Sequence, residues 1–220
     1  MADPGRAAPV ALDVLGRAGR GRLAPAAGGL RAVQQAVLRS FAATGHPPGA
    51  DMLDRAASGT GASASTILAE LAREDFVTLD AGGRIRAAYP FSAAPTAHRV
   101  RIAGRAKVYA MCAVDALGIA PMLAADAVIF SADSHTGAAV TVTFTAGHAA
   151  WQPVRAVVFS ARRCCAGPAA EVSCGFVNFF TSPATARAWQ RSHPEITGTI
   201  LSQQQAERIG RDIFGPLLHG

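Results

Sequence analysis

Apolar positions along the first half of the chain recur at helical spacing. Leu30, Val33, Val37, Leu38 and Phe41 mark one face of a helix that stops at Gly45. Residues 51–58 form a second short helix, followed by the breaker Gly59-Thr60-Gly61. A third is capped by Ser65 and carries an apolar stripe of Ile67, Leu68 and Leu71. The period then changes. Phe76-Val77-Thr78-Leu79, a turn at Asp80-Ala81-Gly82-Gly83 and Arg84-Ile85-Arg86 predict a hairpin. Three helices and a two-stranded wing describe a winged-helix-like unit over residues 30–90.

Pro90 to Pro95 form a linker into a half that alternates strand-like runs with turns. Strands are expected at 99–103, 127–131, 140–145, 155–160 and 176–180, with Val140, Val142 and Phe144 on one face. Helices are expected at 109–117, at 183–190 with Pro183 in the first turn after Ser182, and at 202–214. A parallel sheet needs a helix between each pair of strands, and these strands lack them. The predicted fold is therefore α+β. An N-terminal winged-helix-like three-helix unit precedes a mainly antiparallel β-sheet domain with flanking helices over residues 91–220. Residues 1–29 are rich in Ala, Gly, Pro and Arg, with helical potential only at 10–15, and read as a flexible extension.

The apolar fraction of 50% over 220 residues is that of a globular chain able to bury a core. A formal charge of +6 raises the possibility of nucleic acid, but six arginines against two aspartates place most of the excess in residues 1–50. The third helix offers base edges little beyond Glu70 and Arg73, with no Asn, Gln or Lys. Packing or cover is the better role for it, and no nucleic-acid partner is expected. The longest apolar stretch, 109–130, is interrupted by Asp115, Pro121 and Asp126, so no membrane association is expected. Without a secretory leader, the four cysteines at 112, 164, 165 and 174 read as free thiols of a cytoplasmic protein.

Two of those cysteines stand in informative contexts. Cys112 and Asp115 are three apart and share a helix face among Met111, Ala113, Val114, Ala116 and Leu117. Desolvation there raises a carboxyl pKa and equips it to hold a proton, while thiols bind soft metals. The same residues also fit a buried thiol used as a small hydrophobe beside a solvated or capping aspartate. Cys164-Cys165, next to Arg162-Arg163 and Gly167-Pro168, have neither CxxC nor histidine partners at zinc spacing. Phosphate loops, nucleophile elbows and dinucleotide fingerprints are absent from the sequence.

Tyr109-Ala110-Met111-Cys112-Ala113-Val114-Asp115 resembles the segment of the organomercurial (alkylmercury) lyases that bears their first catalytic cysteine and aspartate. Ser134-His135-Thr136-Gly137-Ala138-Ala139-Val140 is similar to the turn and strand that follow it in that family, with Asp133 or a neighbour replacing a non-catalytic cysteine. That departure bears on stability rather than chemistry. Val177-Asn178-Phe179-Phe180-Thr181-Ser182-Pro183, then Ala186 to Trp189, look like the family's closing strand and helix. This anchor aligns Cys174 with the second catalytic cysteine and makes Cys164-Cys165 an insertion.

The resemblance implies protonolysis of carbon–mercury bonds for mercury detoxification. Cys112 and Cys174 would be the attacking pair, and Asp115 the proton relay and third holder of Hg²⁺. Mercury would be substrate and product rather than a resident metal. No cofactor is expected; free low-molecular thiols would support turnover, and a mercuric reductase is a possible acceptor of the product. Two alternatives remain open at this level: a metal-responsive winged-helix transcriptional regulator, and a non-catalytic thiol metal-binding protein.

Overall fold

The computed structural model describes residues 21–162, 170 and 174–219. The 10–15 segment and Cys164-Cys165 lie outside the described residues. Three helices open the fold: α1 (Leu30–Thr44), α2 (Ala50–Ala57) and α3 (Ala64–Arg73). α1 buries Val33, Val37, Leu38 and Phe41 and ends at Gly45 in the left-handed conformation, as the spacing requires. The cap of α3 is Ser63, not Ser65, because the Ser63 hydroxyl accepts the Thr66 amide at 3.2 Å.

The expected hairpin is β1 (Val77–Leu79) and β2 (Ile85–Ala88), with the Asp80 carboxylate accepting the Gly82 and Arg84 amides across the turn. It does not end there. The stretch read as a linker contains β3 (Phe91–Ser92), which pairs β2 with β5 (Lys107–Ala110). The wing therefore runs straight into an antiparallel eight-stranded sheet. Its remaining strands are β4 (His98–Ile102), β6 (Ala127–Ala132), β7 (Ala139–Thr145) and β8 (His148–Gln152), in the order β1-β2-β3-β5-β4-β6-β7-β8. One core cluster extends from Val33 and Phe41 of α1 through Phe91 and Val100 to Phe179 and Phe214. The structure is an α+β fold in which the three-helix unit and the larger part share sheet and core.

A second, three-stranded antiparallel sheet has β9 (Val157–Arg162) between β10 (Val177–Phe180) and β11 (Thr197–Leu201). Val158, Val177 and Phe179 face the main core, while Val157, Phe159, Ala161 and Phe180 pack under α5 (Pro183–Ser192). Ser182 closes a capping box on α5, and Ser202 does the same for α6 (Gln203–Phe214). Among the described residues, no helix is long and apolar enough to cross a membrane.

Between the layers runs α4 (Ala113–Leu123), touching α6, β4, β5, β6 and β10. It is buried almost all round, as a helix of this composition must be. α4 and α6 approach closely because glycines face each other: a β-carbon on Gly118 would lie 2.2 Å from Phe214 Cδ2. The sequence placed a helix over 109–117. Instead Lys107–Ala110 is strand and the helix begins at Ala113, since the apolar run conceals the junction.

Candidate active site

The junction between β5 and α4 places Cys112. Its backbone is extended and it is the N-cap of α4, a position usually held by Ser, Thr, Asp or Asn. The thiol sulfur fills the capping role, accepting the Asp115 amide at 3.4 Å. Cys112 and Asp115 thus meet across the first turn of a helix rather than along its face. Cys174 arrives from the other sheet, in a 3₁₀ turn (Cys174–Phe176) that leads into β10. Its thiol donates to Asp115 Oδ2 over 3.8 Å.

One sulfur from each cysteine and one oxygen of Asp115 lie within 4.8 Å of one another. All three residues are buried, at 1%, 3% and 7% exposure for Cys112, Asp115 and Cys174. Burial pushes the Asp115 carboxyl up from 3.8 to about 7. The Arg22 guanidinium and hydrogen bonds from both thiols pull the other way without overcoming it. Burial also drives the Cys112 thiol well above its ordinary value, reinforced by Cys174 and the Asp115 charge and opposed by the Asp115 amide. Both shifts favour the protonated forms of Asp115 and Cys112, and a soft cation must displace the Cys112 proton to form a metal–sulfur bond.

The sequence-derived trio of Cys112, Asp115 and Cys174 is brought together. Neighbours with no local sequence signal surround it. Arg22, from the segment read as an extension, is 3% exposed and pairs with the equally buried Asp75. His98 is buried with Nδ1 2.9 Å from Ser131 Oγ, and burial lowers its pKa to about 4, opposed by hydrogen bonding of the ring to the Asn178 side chain. Asn178 in turn donates to the Gly175 carbonyl, next to Cys174.

Asp133, expected to matter for stability, ties the two sheets together. Its carboxylate accepts the His135 and Thr136 amides, and the amide and hydroxyl of Thr181 at 2.7 Å each. Burial would raise its pKa, but the Thr181, Thr185 and His135 donors hold it at about 2. A cavity of about 680 Å³ opens beside the wing and has Met111 and Ala170 in its wall. The trio does not line it, but Met111 and Ala170 stand one and four residues before Cys112 and Cys174.

A buried carboxyl group flanked by two thiols on an α+β scaffold is a donor set that could hold a soft metal ion. Comparison with known proteins makes this specific. The alkylmercury lyase (MerB) family model matches residues 91–215. An alkylmercury lyase of Staphylococcus epidermidis is 30% identical over 138 residues, a match spanning 62% of this chain and 62% of that protein. A crystal structure of the mercury-bound form of MerB2 superimposes with a TM-score of 0.69 at 26% identity, covering 84% of this chain and 91% of that one. The chain belongs to the alkylmercury lyase family.

Proposed function

We propose that this protein is an organomercurial lyase that splits alkyl- and arylmercury compounds into hydrocarbon and Hg²⁺. The observation that carries the reading is the buried trio: two sulfurs and one carboxylate oxygen within 4.8 Å. An organomercurial cation R–Hg⁺ would approach past Met111 and Ala170. A first sulfur, Cys112 Sγ, exchanges its proton for mercury, and the proton passes to Asp115 or solvent. As Cys174 Sγ adds to the metal, two thiolates place electron density on the bound carbon. The Cys174 proton, relayed by Asp115, goes to that carbon. The C–Hg bond breaks with its electron pair staying on carbon, and a C–H bond forms.

Hg²⁺ then rests on two thiolates with the Asp115 carboxylate as third donor. Asp115 suits both tasks because a carboxyl titrating near 7 is protonated and ionised in comparable amounts at neutral pH. Mercury is substrate and product, and the chemistry requires no cofactor. External monothiols would remove the product by ligand exchange, a mercuric reductase being one possible acceptor, and the cytoplasm would supply such thiols. The regulator reading is less well served, since the terminal Arg73 of α3 is engaged by Glu70 and Glu74.

The test is headspace detection of benzene or methane from purified protein given phenylmercury or methylmercury with excess monothiol. Catalytic release that disappears in Cys112→Ser supports the lyase. Tight mercury binding without hydrocarbon refutes it and turns attention to the sensor or metal-binding alternatives.

A further inference from the structure

Four segments far apart in sequence converge behind the thiols. Tyr89 is 1% exposed. Its hydroxyl donates to Asp75 Oδ1 at 3.2 Å and accepts the Ala170 amide at 2.9 Å. The carbonyl of the next residue, Pro90, accepts the Met111 amide at 3.1 Å. Residues 89 and 90 therefore grip the main chain one residue before Cys112 and four residues before Cys174.

The phenol is itself held in place. The Arg22 guanidinium stacks on its ring with 3.8 Å from Cζ to the centroid. Arg22 Nη1 donates to the Asp75 carbonyl and to Asp75 Oδ2, the latter at 3.2 Å. Gln34 of α1 fixes the Arg22 backbone, donating to its carbonyl at 2.6 Å and accepting the Ala24 amide at 2.9 Å. Burial raises the phenol pKa, the Cys174 and Asp75 charges add, and the Arg22 cation opposes. The hydroxyl thus keeps the proton it gives to Asp75.

We propose that Tyr89 is a positioning residue that sets the separation of the two sulfurs, with Arg22 and Asp75 aiming its hydroxyl. Its kinetic consequence rests on the lyase reading; its consequence for Hg²⁺ binding does not. Chelation by two sulfurs gains over a single sulfur only when their spacing suits the ion. Tyr89 lies near enough to Cys174 for the thiol's charge to act on it, so freeing the Tyr89 hydroxyl contacts loosens the wall beside the second thiol and lowers its effective concentration.

The variant is Tyr89→Phe, which keeps the ring and its stacking and removes only the hydroxyl. Two quantities are read at a temperature where the variant is folded by circular dichroism. The first is kcat and KM for phenylmercury. The second is the free cysteine concentration that strips half the Hg²⁺ from preloaded protein. We expect kcat to fall about ten-fold with KM within about two-fold, and half-release at about ten-fold less cysteine, the order of effect of one lost buried hydrogen bond.

Phe144→Leu on β7 is the control for lost stability. Unchanged kcat and unchanged half-release in Tyr89→Phe overturn the proposal. So does an equal fall in both for a Phe144→Leu protein that has lost as much melting temperature. If the wild type releases no benzene at all, the lyase reading fails, and the half-release concentration alone decides the role of Tyr89.

Discussion

Replacing Asp115 by Asn makes the protein more stable, and by an amount that depends on pH. An unfolded chain releases the Asp115 proton near pH 4, whereas the fold retains it until about 7. Between those values the native state binds more protons, so the contribution of Asp115 to stability falls as pH rises and is fully lost above 7. The gap of about three pKa units corresponds to about 4 kcal/mol at about 1.4 kcal/mol per unit. Asparagine has the size of the protonated acid and no charge to desolvate. Asp115→Asn should therefore match the wild type near pH 4 and exceed it by about 4 kcal/mol at pH 8, or roughly 8–16 °C in melting temperature.

Urea unfolding of both proteins from pH 4 to 8.5 under a metal-free reductant gives the difference directly. His98 stabilises with opposite sign, being neutral in the fold above about 4 and losing its contribution as pH falls from about 6.5. It is present in both proteins and cancels. A difference flat across pH 4 to 7, or a wild type more stable than the variant at pH 8, would show that Asp115 ionises normally inside the fold. The carboxyl could then not be the proton carrier.

Cys174→Ser should abolish hydrocarbon release from phenylmercury as Cys112→Ser does, while the double change Cys164→Ser with Cys165→Ser leaves most of it; the reverse pattern would misplace the second sulfur. Asp133→Ala removes four hydrogen bonds, two within its turn and two to Thr181 of the other sheet, and should cost about 3 kcal/mol in urea unfolding, with kcat changed less than about two-fold when the protein is kept folded. Gly118→Ala forces a methyl group against the fully buried Phe214 ring and should lower the melting temperature by about 6–12 °C, for a strain of about 3 kcal/mol.

The parts legible from sequence were those with local causes. α5 and α6 begin at Ser182 and Ser202 because each serine closes a capping box, and α1 ends where Gly45 enters the left-handed region. Cys112, Asp115 and Cys174 were found through flanking motifs, and the fold brings them together. β8 and β11 went unseen since each offers one well-buried side chain, Trp151 and Leu201, and so little alternation. The start of α4 was missed because cysteine is an uncommon cap. Arg22, Asp75 and Tyr89 meet across 14 to 67 residues, and no periodicity encodes such a meeting.

The two sulfurs hang from different sheets, Cys112 from the end of β5 and Cys174 from the turn into β10. Those sheets meet through Phe179 against His98 and Trp151, so the sulfur gap depends on this stack as well as on the Tyr89 contacts. The protein is in this respect a caliper whose jaws belong to rigid bodies. Under the lyase reading, its opening can be retuned by exchange of an aromatic ring in the stack while Cys112, Asp115 and Cys174 stay the same.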